Sequence, residues 1–125
     1  MSEIEELLRN GADANTKDEN GFTLLMSFAR SNDIESMKLL LDYAAEINTK
    51  DMLNYTALDY AIKDHHFSAV KFLVENGAAV SEDTYMLALK TNDRKIVEFF
   101  DSLDPEKYVF IRNVRRNRNE YYKTF

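Results

Sequence analysis

Apolar side chains along this chain come in short bursts separated by polar turns. Between Thr23 and Arg30 the string TLLMSFAR has the apolar spacing of a short helix. Ser31, Asn32 and Asp33 interrupt it and can cap the next element. Ile34, Met37, Leu40 and Leu41 then fall on one face of a second helix. A polar, turn-forming run at 17–21 precedes this pair, and Ala44 to Asn48 leads away from it. The predicted unit is turn, helix, turn, helix, loop. It recurs from Lys50 to Ser81, with Thr56, Leu58, Ala61 and Ile62, then Phe67, Val70, Leu73 and Val74.

The recurrence has a fixed step. LLRNGADANTKD begins at Leu7, LLDYAAEINTKD begins 33 residues later at Leu40, and LVENGAAVSED begins 33 residues after that at Leu73. Thr23 and Thr56, Leu25 and Leu58, and Met37 and Val70 keep the same step. A constant period of this length marks stacked supersecondary units. Such stacks mostly offer surfaces rather than catalytic clefts. A further copy reads TYMLALKTN and then RKIVEFFDSL, but Ala88 matches Ala61 and Val97 matches Val70 at a spacing of 27, so six residues of projecting turn are missing. Residues 3–9 hold a second helix without its partner, with Ile4, Leu7 and Leu8 predicted on its inner face. Gly11 and Gly77 share one position, where a helix must stop and positive φ is useful. Ala44 takes that position in the middle copy, where the chain either lacks the αL turn or adopts it at a cost of about 1 kcal/mol.

The end of the chain differs. Asp104-Pro105-Glu106 is a helix start, and Tyr108, Ile111, Val114, Arg118, Tyr121 and Phe125 follow at helical spacing. The reading is a repeat stack over 1–103 and a basic C-terminal helix or cap over 104–125. Within the stack lie a partial repeat at 3–16, full repeats at 17–49 and 50–81, and a clipped repeat at 82–103. The fold class is all-α. Charge separates the two parts. Residues 1–106 carry 10 basic and 21 acidic side chains, whereas residues 107–125 carry six basic and one acidic.

Composition narrows the chemistry. No cysteine is present, which excludes disulfides and thiolate chemistry. No apolar run approaches the length of a membrane span. MSEIEELL is acidic, which argues against a secretory signal. His65 and His66 are adjacent and do not face one way on a helix, so no metal site is expected. No Gly-rich phosphate loop and no Ser-His-Asp arrangement is evident, so neither a cofactor nor an enzymatic activity is expected.

The repeats resemble the ankyrin family, whose motif runs roughly D-x-x-G-x-T-P-L-H-x-A and then G-x-x-x-x-V-x-x-L-L-x-x-G-A-D-V-N. Here it reads DENGFTLLMSF with NDIESMKLLLDYAAEIN, and DMLNYTALDYA with HHFSAVKFLVENGAAVS, over about residues 3–103. The resemblance implies a solenoid of helix–turn–helix units. The Pro-Leu-His of the motif is Leu24-Leu25-Met26 and Ala57-Leu58-Asp59 here. Loss of the histidine that ties neighbouring turns predicts looser turns. His65 falls at the family's glycine position between helices.

The resemblance also implies a recognition surface at the turn tips and first helices. Carried over, its positions are Glu19, Asn20, Phe22, Ser27, Arg30 and Ser31, then Met52, Leu53, Tyr55, Tyr60, Lys63 and Asp64, and in the clipped copy Leu87, Lys90 and Thr91. Phe22, Met52, Leu53, Tyr55 and Tyr60 are expected to face solvent, with Phe22 and Tyr55 side by side across neighbouring turns. Apolar side chains clustered on one face suggest a patch for a protein partner, the alternative being that the turns pack onto each other. The expected molecule is a monomer that binds protein, located in the cytoplasm or delivered into a host cell. Two alternatives stand beside it. The tail, with Arg112, Arg115, Arg116 and Arg118, suits an acidic partner or nucleic acid. The unpartnered first helix suits a fragment of a longer array.

Overall fold

The computed structural model describes residues 2–122, with side chains through Asn113. Among the described residues there are eight helices: α1 (Glu3–Arg9), α2 (Leu24–Arg30), α3 (Ile34–Asp42), α4 (Ala57–Lys63), α5 (Phe67–Glu75), α6 (Glu82–Thr91), α7 (Arg94–Leu103) and α8 (Pro105–Tyr122). Each of the first seven is too short to persist alone in water. Local signals start them. The side chains of Ser2, Thr23, Asp33, Thr56, Ser81 and Asp93 each accept a hydrogen bond from a backbone amide in the first turn of the helix that follows. A cap of this kind contributes about 1 kcal/mol. Left-handed residues reverse the chain between paired helices, with φ of 58° at Asn32, 59° at His65 and 58° at Asn92.

The helices form two layers. First helices α2, α4 and α6 contact one another in series, and so do second helices α1, α3, α5 and α7. Equivalent side chains therefore stack into columns. Leu25, Leu58 and Tyr85 form one, and Leu40, Leu73 and Phe100 another, all buried. Leu7 is the expected start of the second column, but it is 51% exposed while Leu8 is buried. The inner-face assignment for Leu7 is corrected for a simple reason: among the described residues no first helix pairs with α1 to cover it.

The turns are not loose. Asn15 donates its side-chain amide to the Ala44 carbonyl (3.2 Å) and accepts the Glu46 amide (2.7 Å). One period on, Asn48 does the same with the Gly77 carbonyl (3.4 Å) and the Ala79 amide (2.8 Å). The residues in the motif's histidine position act within their own helix. Met26 Sδ accepts the Thr23 amide at 3.4 Å, and Asp59 Oδ2 accepts the Thr56 amide at 3.0 Å. Each closes a reciprocal capping box.

Only three residues separate Gly77 from Ser81, the N-cap of α6, so the third projecting turn is absent and α6 begins almost at once. α8 packs against α7. Its Tyr108 ring stacks on Tyr85 with centroids 4.5 Å apart, and Ile111 is buried beside it.

Ala44 takes the left-handed conformation, with φ of 67°, as Gly11 (98°) and Gly77 (100°) do at the same position. An alanine held there is strained. Ala44→Gly is expected to raise stability by about 0.5–1 kcal/mol, measured by urea denaturation. Unchanged or lowered stability would show that the loss of chain entropy outweighs the strain.

Candidate functional site

Two turn tips and the start of α4 make the most distinctive surface. Each tip is organised by one aspartate. Asp18 Oδ1 accepts the amides of Asn20 (2.8 Å) and Phe22 (3.0 Å), and Asp51 Oδ1 accepts those of Leu53 (2.9 Å) and Tyr55 (3.0 Å). The tips are joined where Met52 donates its amide to the Asn20 carbonyl at 2.9 Å. Gly21 makes this approach possible. A Cβ there would lie 3.2 Å from the Asp51 backbone, and its φ is 77°. The two turns are one rigid unit, not separate flexible loops.

Three predicted anchors fold into that unit. Tyr60 is 8% exposed, which corrects its placement as a solvent-facing contact. Its ring meets Phe22 edge-on at 5.4 Å and Tyr55 at 5.5 Å, and its hydroxyl donates to the Asp51 carboxylate. Phe22 and Tyr55 are half-buried, and the Tyr60 ring contacts both. The reason is local. Tyr60 points from α4 towards the turn, and a buried phenol requires an acceptor, which the turn aspartate supplies. Cations cover the outer side of this cluster. Lys63 Nζ lies 4.5 Å from the Tyr55 ring centroid, and the Arg30 guanidinium lies 5.7 Å from that of Tyr60. Arg30 also pairs with Asp64 at 3.6 Å.

Other predicted residues remain on the outside. Met52 is 75% and Leu53 70% exposed, adjacent at the second tip. Glu19, Asn20, Ser27, Ser31 and Lys90 are exposed, and Leu87 and Thr91 half-buried. Below Leu53 lies a hollow of about 290 Å³ walled by Leu53, Asn54, Tyr55, Asp59, Asp83, Met86, Leu87 and Lys90. It occupies the place where a third turn would project.

The histidines diverge. His65 Nδ1 is 2.9 Å from Asp93, and His66 Nε2 is 2.9 Å from the Arg30 carbonyl. Arg112 pairs with Asp101 at 2.6 Å, because α8 sets it against α7. The side chains of Val114, Arg115, Arg116, Arg118, Tyr121 and Phe125 lie outside the described residues. Among the described residues no helix is long and apolar enough to cross a membrane.

The family of ankyrin repeats (3 copies) matches residues 2–84. The chain belongs to the ankyrin-repeat family. Ankyrin repeats are generally protein–protein interaction modules. Among curated proteins, none matches the chain at a significant level. The ankyrin match ends inside α6, at the copy that lacks its turn. Sequence reasoning did not single out Asp18, Asp51 or Asp59 as site residues. The first two had a legible signal, since the KD dipeptide recurs at the repeat period.

Two outcomes follow for the ankyrin tips. Tyr60→Ala is expected to cost about 3–5 kcal/mol, the range for a large buried aromatic side chain, whereas Met52→Ala and Leu53→Ala stay within about 0.5 kcal/mol in urea melts. Equal costs at the three positions would contradict this division.

Burial, and then the hydrogen bond to Asp51, push the Tyr60 phenol up to about 12. The same causes act on Tyr85, with Asp101 as the acceptor, also to about 12. A folded-state value above the unfolded one, about 10, gives stability that is complete below pH ~10 and is lost as pH rises towards ~12. Alkaline unfolding, followed by tyrosinate absorbance and circular dichroism, should therefore begin above pH ~10 and be shallower in Tyr85→Phe. An identical alkaline profile in that variant would refute the linkage.

Proposed function

We propose that the chain is a non-enzymatic binding module that holds a protein partner at its second turn tip and the adjoining face of α4 and α6. The observation that carries this reading is the exposure of Met52 and Leu53 side by side on a turn whose amides from Asp51 to Tyr55 are all bonded. Large apolar side chains in water on a rigid support lose little conformational entropy when covered, which favours their use as anchors. Phe22, Tyr55 and Tyr60 support the anchors from behind. Glu19, Asn20, Ser27, Arg30, Lys63 and Lys90 form a polar rim that sets orientation. The C-terminal helix acts in this reading as a cap, since Tyr108 and Ile111 are spent on the last repeat and Arg112 on Asp101.

A photo-crosslinking amino acid placed at Leu53, and separately at Lys38 on the exposed side of α3, tests the surface in cells. Discrete crosslinked species are expected from position 53 and not from 38, and Met52→Ala should reduce their yield. Equal crosslinking from both positions, or a yield unaffected by Met52→Ala, would refute the tip as the binding surface.

A further inference from the structure

The missing third turn leaves a space. In the first two repeats, turn follows turn, and the second covers the first by donating the Met52 amide to the Asn20 carbonyl. Leu53 stands one period after Asn20. No third turn follows to meet it, because α6 starts directly after Ser81. In place of a turn there are two adjoining hollows. The larger is the one of about 290 Å³ already described. The smaller, about 140 Å³, is walled in part by Lys50, Thr56 and Ser81. Asn54, Asp59 and Asp83 belong to both walls.

Asp59 is the unusual member. It is only 7% exposed, and its two oxygens differ. Oδ2 accepts the Thr56 amide, whereas Oδ1 is buried with no hydrogen-bond partner among the described residues. A carboxylate oxygen cut off from water requires a donor, and a charged one leaves the larger deficit. The cap on α4 uses one oxygen and leaves the other. The lysines on the walls, Lys50 and Lys90, are exposed side chains, so their ammonium groups keep their hydration. Asp83, also exposed, adds a second acceptor beside Asp59. The apolar part of the larger wall is Leu53, Met86 and Leu87.

We infer that this notch is a subsite for an extended segment of a protein partner that inserts one basic side chain, lysine or arginine, towards Asp59 and Asp83. A neighbouring apolar side chain of that segment rests on Leu53, Met86 and Leu87. The partner supplies what a third turn would have supplied: a donor for the turn and cover for the start of α6. Charge complementarity fixes the sign. The buried group with an open acceptor atom is a carboxyl, and residues 1–106 carry 21 acidic against 10 basic side chains. The inference rests on the reading of this face as the partner-binding one, and it adds the chemistry of the ligand.

The test uses the full chain and the acetylated, amidated peptide LTRTL, with LTETL as its control, followed by amide chemical shifts of isotope-labelled protein. LTRTL is expected to give saturable shifts within 53–59 and 83–90 and to bind at least about tenfold more tightly than LTETL. Asp59→Asn keeps an acceptor for the Thr56 amide but removes the charge, and should weaken LTRTL at least about tenfold with the melting temperature retained. If that variant does not fold, the exposed Asp83→Asn replaces it and should weaken the peptide severalfold. Absence of saturable shifts, equal binding of the two peptides, or wild-type affinity in the variant that folds would overturn the notch proposal. Position-53 crosslinking that survives such a result would leave the tip reading standing, and loss of that crosslinking with intact peptide binding would overturn only the tip.

Discussion

Burial of matched side chains between consecutive helix pairs is the constraint on which everything else rests. Helices of seven to ten residues, α1 to α7, cannot hold themselves together, so each depends on the next to cover its apolar face. The columns Leu25–Leu58–Tyr85 and Leu40–Leu73–Phe100 provide that cover with no accessible gap. Their register requires every turn between paired helices to have one shape, which explains three left-handed residues of nearly identical φ at Asn32, His65 and Asn92. Replacing asparagine by histidine at one of these positions leaves the backbone unchanged, and the imidazole is used instead to reach Asp93 in the next repeat.

The same register governs the surface. Because the helix pairs are fixed, the turns are held at a set distance, and one hydrogen bond from Met52 to Asn20 joins them. The loss of the motif's histidine is tolerated because its ties are divided between other residues. Asn15 and Asn48 bridge neighbouring repeats along the loops, while Met26 and Asp59 close the caps. The division has a consequence. A cap needs only one acceptor atom, so the carboxylate of Asp59 keeps a second oxygen that no donor satisfies among the described residues.

Where the period breaks, the stack changes its means of closure. The clipped copy omits its turn, and its first helix is longer than α2 and α4. Tyr85 replaces the leucine of the preceding copies, reaches Asp101 with its hydroxyl at 2.6 Å, and receives the Tyr108 ring of α8. Arg112 completes this junction from α8 by pairing with Asp101. An aromatic and ionic junction thus ends columns that are leucine in the two preceding copies, and the notch lies beside it on the face where the turn is missing.

The sequence by itself determined the helix pairs, their order, the shortened third copy and the helix start at Pro105. These follow from local periodicity and capping, which short-range sterics and hydrogen bonding decide. Leu40 and Leu73 were legible as core for the same reason. Tertiary structure decided which polar and aromatic residues stay on the surface. Tyr60 and Leu53 both belong to variable positions in the motif, yet one is enclosed between two turns and the other stands in water. The difference depends on Asp51 and Phe22, and the latter is 38 residues from Tyr60 in the chain. Leu7 shows the converse, since its position in the period is that of a core leucine, yet it is exposed where no helix among the described residues covers it. Periodicity specifies which face a side chain takes, and burial depends on what lies opposite that face.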